Sequence, residues 1–368
     1  MILFKQSADL ATWLEKQRMA GRNIGFVPTL GALHEGHISL IAISKKSTSL
    51  TVCSIFVNPT QFNDPRDFQQ YPITLEKDIP MLEKAGVDVL FLPAVAEMYP
   101  NGTGGLETYD LGPLETLLEG KYRPGHFQGV CQVMRRLLEK VRPDHLFMGS
   151  KDYQQCMVVQ RLLTIMGFPT TLHRCPIIRE ADGLAMSSRN LRLTPTQRTN
   201  ATAIYRALTA IKNGFPAQPI PTLIANATRI LEAAEFRVDY VSIADAQTLE
   251  PLGDLTTPAA SAITTTSPSS SATTSPPTTA TATNTTSPPS SAATSPAASA
   301  TTGPSSSART APALSAPPAN TPSSPRPTTY SSEAATDVPP PPDGAVALIA
   351  AFQGDVRLID NRVLSEPS

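Results

Sequence analysis

The chain has 368 residues, with 30 Lys plus Arg against 31 Asp plus Glu and a formal net charge of −1. That balance excludes a general nucleic-acid or membrane-surface binder and directs attention to small-molecule partners. Four cysteines, Cys53, Cys131, Cys156 and Cys175, are widely spaced with no C-x-x-C or Cys/His cluster, so reduced thiols in a cytoplasmic protein are expected rather than a zinc or disulfide scaffold.

The opening residues carry no basic segment followed by an apolar core, and no apolar run approaches the ~18 residues that span a bilayer. Neither secretion nor membrane insertion is expected. An apolar run at 24–27 reads as a strand and delivers Pro28-Thr-Leu-Gly-Ala-Leu-His34-Glu-Gly-His37 onto a helix-like stretch at 38–46. A Gly-containing turn at a helix N-terminus exposes unpaired backbone N–H groups and a positive dipole end, which together attract phosphate. His34 and His37, three apart, can both face that turn and donate to a phosphoryl oxygen that gains charge. Gly36 lets the backbone approach closely. A histidine pair on a solvated helix start, or half of a metal site, is the alternative. The chain holds only five His, two of them in this one H-x-G-H, which favours the phosphate reading.

Further strands are expected at 52–57, 87–92, 145–148 and 171–178, separated by helices at 74–85, 127–141 and 152–166. This alternation predicts an α/β fold with a Rossmann-like doubly wound parallel sheet, whose ligands bind beyond the carboxyl ends of the strands. Three motifs fall there. Asn58 and Gln61 follow the second strand and offer amides to a polar group or a carboxylate, with an Asn-Pro turn as the alternative. Lys151 and Asp152 open a helix after Gly149 and suit phosphate and ribose, with an Asp N-cap and a solvated Lys as the alternative. Met186-Ser187-Ser188-Arg189-Asn190 offers two hydroxyls and a guanidinium to a polyphosphate.

Thr194-Pro195 reads as the N-cap and first-turn pair of a helix running to about Gly214, and another helix is expected over 222–235. A strand at 238–244 follows. Composition then breaks: residues 256–342 hold 18 of the 36 prolines and only four charges, Arg309, Arg326, Glu333 and Asp337. Such a segment cannot bury a core, and a disordered Ser/Thr/Pro/Ala-rich stretch is expected. Beyond it, 345–352 and 356–360 read as a hairpin. The tract is therefore an insertion, which loop-closure entropy tolerates because its cost grows only logarithmically with length. The expected domains are a nucleotide-binding domain at 1–178 and a smaller C-terminal α+β lid domain at 179–255 plus 343–368.

Together, these motifs, with Tyr122-Arg-Pro-Gly-His-Phe-Gln-Gly129 and Arg357-Leu-Ile-Asp-Asn361, resemble the pantothenate synthetase (pantoate–β-alanine ligase) family of H-x-G-H nucleotidyltransferases. The resemblance covers 1–255 and 344–364. It implies that pantoate carboxylate attacks the α-phosphorus of Mg-ATP to give pantoyl adenylate and pyrophosphate, after which the β-alanine amine displaces AMP. In this sequence it makes His34, His37, Lys151 and Arg189 catalytic, and places Pro28, Thr29, Leu30, Gly149, Asp152, Ile178, Met186, Ser187 and Ser188 around ATP. Gln61 and Gln155 would bind pantoate, Asn58 would sit near the adenylate and the amine, and Asp78 would contact Mg²⁺. A homodimer is also implied. Leu30 stands where the family usually has Met, Met148 where it has Phe, and Ile73 where it has Arg; the insertion is the large departure.

Two other readings compete. Another H-x-G-H adenylyl or cytidylyl transferase would act on a different acid or phosphate. A non-catalytic scaffold would use the Pro-rich tract to recruit partners with aromatic grooves.

Overall fold

The computed structural model describes residues 1–62, 68–252 and 344–364. The insertion expected at 256–342 lies outside the described residues, which all belong to one compact unit. In chain order they form β1 (Ile2–Phe4), α1 (Ser7–Met19), β2 (Ile24–Thr29), α2 (Glu35–Ser47), β3 (Leu50–Ile55), α3 (Leu75–Lys84), β4 (Val89–Phe91), α4 (Val95–Met98), α5 (Leu118–Tyr122), α6 (His126–Val141), β5 (His145–Gly149), α7 (Tyr153–Met166) and β6 (Thr171–Cys175). There follow α8 (Pro195–Asn200), α9 (Ala203–Gly214), α10 (Ile220–Glu232), β7 (Phe236–Asp245), β8 (Ala345–Gln353) and β9 (Val356–Val363).

Strands β1 to β6 make one parallel sheet in the order β1-β4-β3-β2-β5-β6. Side chains alternate across it. Phe26, Val52, Phe91 and Leu146 pack with α1, α6 and α7, whereas Val27, Cys53, Leu90 and Phe147 pack with α2 and α3. Burial on both faces explains the continuous apolar runs in the sequence. Order reverses at β2: the chain runs outward through β3 and β4, then crosses back to place β5 on the other side of β2. The cleft between the carboxyl ends of β2 and β5 is thus the switch point where such sheets hold ligands.

The second sheet is antiparallel, in the order β7-β8-β9, and its core is shared with α9 and α10. Leu252 N–H bonds the Ile243 carbonyl and Ala246 N–H bonds the Gly344 carbonyl, so the chain leaves and re-enters at the same end of the β7–β8 pair. A bulge between Val238 and Tyr240 inserts Asp239 into β7. Among the described residues no helix is long and apolar enough to cross a membrane.

Three local expectations need correction. Strand β6 ends at Cys175 rather than 178, because Pro176 has no N–H to continue the ladder. The helix expected to run on from Thr194 breaks after Asn200. The Thr194/Gln197 capping box is present, but Thr202 Oγ1 donates back to the Thr199 carbonyl and competes with the helical ladder. Strand β1 and helix α1 were not foreseen; β1 is a three-residue edge strand with Ile2 and Leu3 exposed, too short for a periodic signal.

Candidate active site

At the end of β2 the chain turns through Gly31 and Ala32, both with left-handed backbone (φ 84° and 49°). The strain in Ala32, which lacks glycine's freedom, is held from two sides. Asp78 Oδ2 and Oδ1 accept the Ala32 and Leu33 N–H groups at 2.9 and 2.8 Å, and Ser188 Oγ donates to the Ala32 carbonyl at 3.0 Å. This loop carries the two histidines into the cleft.

His34 is itself the N-cap of α2. Its Nδ1 accepts the Gly36 N–H at 3.1 Å, and His37 Nδ1 accepts the His34 N–H at 3.3 Å, completing a capping box in which both capping groups are imidazoles. Their rings lie 4.1 Å apart. Burial drives both pKa values down, to about 4 for His34, helped by the Lys151 charge, and to about 3 for His37, helped by His34 and Lys151. Both rings are therefore neutral near pH 7. Since Nδ1 accepts in each, the proton sits on Nε2, leaving two neutral N–H donors on the cleft side. Gly36 permits this: a Cβ there would lie 2.8 Å from His34 Cε1 and 2.9 Å from Nδ1.

Across the switch point, β5 ends in Gly149 and a 3₁₀ turn, Ser150–Asp152, before α7. Lys151 Nζ lies 3.9 Å from Asp152 Oδ1. Asn361 on β9 holds the turn by its backbone, and Arg179 makes a bidentate pair with Asp360 at 2.6 and 3.1 Å. Residues of the second sheet therefore fix the lysine turn.

The cleft has a volume of about 250 Å³. It shares Lys151, Asp152, Ser187 and Arg189 with a second cavity of about 450 Å³. Pro28, Thr29, Leu30, His34, His37, Gln61, Gly149, Lys151, Asp152, Gln155, Ile178, Met186, Ser187, Ser188 and Arg189 all line the first cleft. The two hydroxyls differ. Ser187 Oγ accepts the Arg189 N–H and keeps its own proton available, whereas Ser188 Oγ spends its proton on Ala32.

Asn58 and Asp78 stand outside this set. Asn58 is fully buried; Nδ2 donates to Gly129 O, Gln61 Oε1 and Thr60 Oγ1, and Oδ1 accepts from Tyr99 OH at 2.7 Å. Through the Nδ2 bond it supports the Gln61 amide. Asp78 is buried, and its oxygens take two backbone N–H groups and the Thr74 hydroxyl. These bonds make Asp78 the anchor of the loop that carries the two histidines. Among the described residues no group of three His, Cys, Asp or Glu is placed to hold a metal ion.

The sequence reading missed the support beneath Gln61. Tyr99 holds Asn58, and His126 Nδ1–H donates to the Gln61 carbonyl at 2.8 Å. Gly129 is needed because a Cβ there would lie 2.2 Å from the Thr60 carbonyl oxygen. Two buried polar side chains beside a glycine were the available signal.

A family model described as pantoate-beta-alanine ligase matches residues 2–272. A pantothenate synthetase of Thermus thermophilus is 43% identical over 242 residues, 65% of this chain and 87% of that one. A crystal structure of pantothenate synthetase from Thermus thermophilus superposes with a TM-score of 0.71 at 31% identity, covering 99% of both chains. A pantoate-beta-alanine ligase from Francisella tularensis, complexed with beta-gamma ATP and beta-alanine, superposes with a TM-score of 0.64 at 28% identity over the whole of both chains.

Proposed function

Because the chain belongs to the pantoate–β-alanine ligase family, we propose that it condenses pantoate with β-alanine at the expense of ATP through the residues just described. In the first step a pantoate carboxylate oxygen bonds to the α-phosphorus of ATP, the bond to the bridging oxygen breaks, and pyrophosphate leaves. In the second, the β-alanine amine adds to the acyl carbon, loses a proton, and AMP departs with the former carboxylate oxygen. The observation that carries this reading is the imidazole capping box, which aims two neutral Nε2–H donors at a switch-point cleft that Lys151 also lines.

Neutral donors suit the first step. They bond the equatorial oxygens as charge accumulates there without burying two further cations, and Lys151 supplies the compensating charge. Arg189 and the Ser187 hydroxyl face the outer phosphates, and Asp152 and Gly149 the ribose. Gln61 and Gln155 orient pantoate, whose branched carbon fits the apolar wall of Phe127, Val130 and Met134. Ser188 acts through Ala32. Mg²⁺ accompanies ATP by its affinity for phosphate oxygens.

Separate apolar cores for the parallel sheet and for the β7–β9 sheet support domains at 1–178 and at 179–255 plus 343–368. Four buried free cysteines support a reducing, cytoplasmic setting. A homodimer belongs to the same proposal and is tested by sedimentation.

The deciding experiment supplies pantoate labelled with ¹⁸O in its carboxylate. One label in AMP, with pantoate-dependent pyrophosphate release before β-alanine is added, is expected. Unlabelled AMP would rule out acyl adenylate formation.

A further inference from the structure

A polar relay that the assigned roles do not use lines the cleft beside Gln61. His126 Nδ1–H donates to the Gln61 carbonyl, and its Nε2 accepts from Arg123 Nη1 at 3.0 Å. A carbonyl only accepts and a guanidinium only donates, so both ends demand the same neutral tautomer. Burial, with the Arg123 charge, keeps the ring neutral, at a pKa of about 3.

Arg123 Nη1 in turn lies 3.7 Å from Glu119 Oε2. The Glu119 carboxylate, buried at the base of α5, accepts both Nη groups of Arg357 at 2.7 and 2.8 Å and the Tyr240 hydroxyl at 2.9 Å. Arg357 Nε bonds Asp239, the bulge residue of β7. The backbone N–H of Glu119 also bonds Gln154 Oε1 at 3.0 Å, and Gln154 adjoins Gln155. One carboxylate residue is thus linked to the backbone of Gln61, to Gln154 next to Gln155 in sequence, and to two strands of the second sheet.

We infer that Glu119 is a positioning residue that couples the seating of the β7–β9 sheet to the pantoate subsite, acting through Arg123 and His126 on the backbone of Gln61. This rests on the assignment of Gln61 to pantoate. A buried ionic cluster is weak evidence for stability, since desolvation offsets much of its attraction. Its geometric role is to hold one arrangement of the sheet and the subsite, and with the relay cut the Gln61 carbonyl loses its bond from His126 while the bonds at the His34 and His37 cap remain.

The test is steady-state kinetics on the full-length protein with all three substrates varied in turn. Glu119→Gln keeps the shape and loses the charge; it is expected to raise the KM for pantoate about tenfold, the effect of one charge-assisted hydrogen bond, with the KM for ATP and for β-alanine within about twofold. The His126 pair separates relay from bulk. In His126→Asn the amide can still donate near the Nδ1 position, so most of the pantoate affinity is rescued, whereas His126→Gln reaches only toward Nε2 and matches Glu119→Gln. The double variant Glu119→Gln/His126→Gln is no worse than either single one, because they share a pathway. Equal shifts in all three KM values, indistinguishable His126 variants, or multiplying effects in the double variant would each overturn the coupling. Should Glu119→Gln fail to fold, the His126 pair decides. An active wild type with no such split defeats the coupling alone; a wild type without pantoate-dependent turnover defeats the functional reading as well.

Discussion

Asn361 Nδ2 donates to the backbone carbonyls of Ser150 and Lys151 at 2.9 and 2.8 Å. An amide on the last strand therefore sets the turn that carries the proposed catalytic lysine, two hundred and ten residues away from it in sequence. Asn361→Asp puts an acceptor against two acceptors. It is expected to cost roughly 1–3 kcal/mol in the Lys151 turn, read as about a tenfold or greater fall in the pantoate-dependent pyrophosphate burst with unchanged β-alanine KM. Single-turnover pyrophosphate release checks it, and a normal burst would free Lys151 from this support.

Gly36→Ala isolates the imidazole cap. Alanine raises helix propensity by up to ~1 kcal/mol, yet its Cβ would lie within 3 Å of the His34 ring, so the ring must swing off its cap. Cap loss costs roughly 0.5–2 kcal/mol, leaving net stability nearly unchanged while adenylation falls at least about tenfold. Thermal unfolding measured beside adenylation separates the two effects. Equal retention of both would show that cap geometry is not needed.

The buried histidines predict an acid-side loss of stability. His34 and His37 have folded pKa values of about 4 and 3, below the ordinary 6.5, so the unfolded chain takes up protons first as pH falls. Their contribution is complete above about pH 6.5 and declines through the window down to those folded values. Glu119 acts in a lower window that overlaps the acid end of theirs. Burial would raise its pKa, but the Arg357 bonds and charge, with Arg123, bring it to about 2, so its support is complete above the usual glutamate range and is lost only as pH falls toward 2. Urea midpoints from pH 7.5 to 4.5 should fall for the wild type and fall less steeply in His37→Gln, where His34 and His126, also lowered to about 4 and 3, still contribute; parallel curves would refute the assignment.

Deleting residues 256–342 and closing the flanks with a short turn is expected to leave adenylation within about twofold of the full chain, because loop closure costs little. The β7–β8 register is regular from Asp245↔Ala345 to Tyr240↔Ala350, and the backbone bonds at Leu252 and Gly344 lie outside the deleted stretch. Soluble yield and pyrophosphate release check this. An inactive or insoluble product would make the segment part of the working structure.

The parallel-sheet fold was legible because its inner strands β2, β3 and β4 are buried on both faces and so read as uninterrupted apolar runs, as at Val52 and Cys53. The H-x-G-H turn was legible for a similar reason: a helix start needs local capping, and its donors and acceptors lie within three residues. Local chemistry of that kind is written in order along the chain. What tertiary structure alone decided is which partner each polar group takes. Asp78 turns to Ala32 across 46 residues, Ser188 to the same residue across 156, and Arg179 to Asp360 across 181. A carboxylate or an amide carries the same donors and acceptors wherever it lies, so sequence alone could offer Asp78 as a metal contact and Asn58 as a substrate contact. Burial and distance decide the partners each one takes, the Ala32 loop for Asp78 and the Gln61 amide for Asn58, whereas the tautomers that make His34 and His37 neutral donors are set locally by the Gly36 and His34 N–H groups.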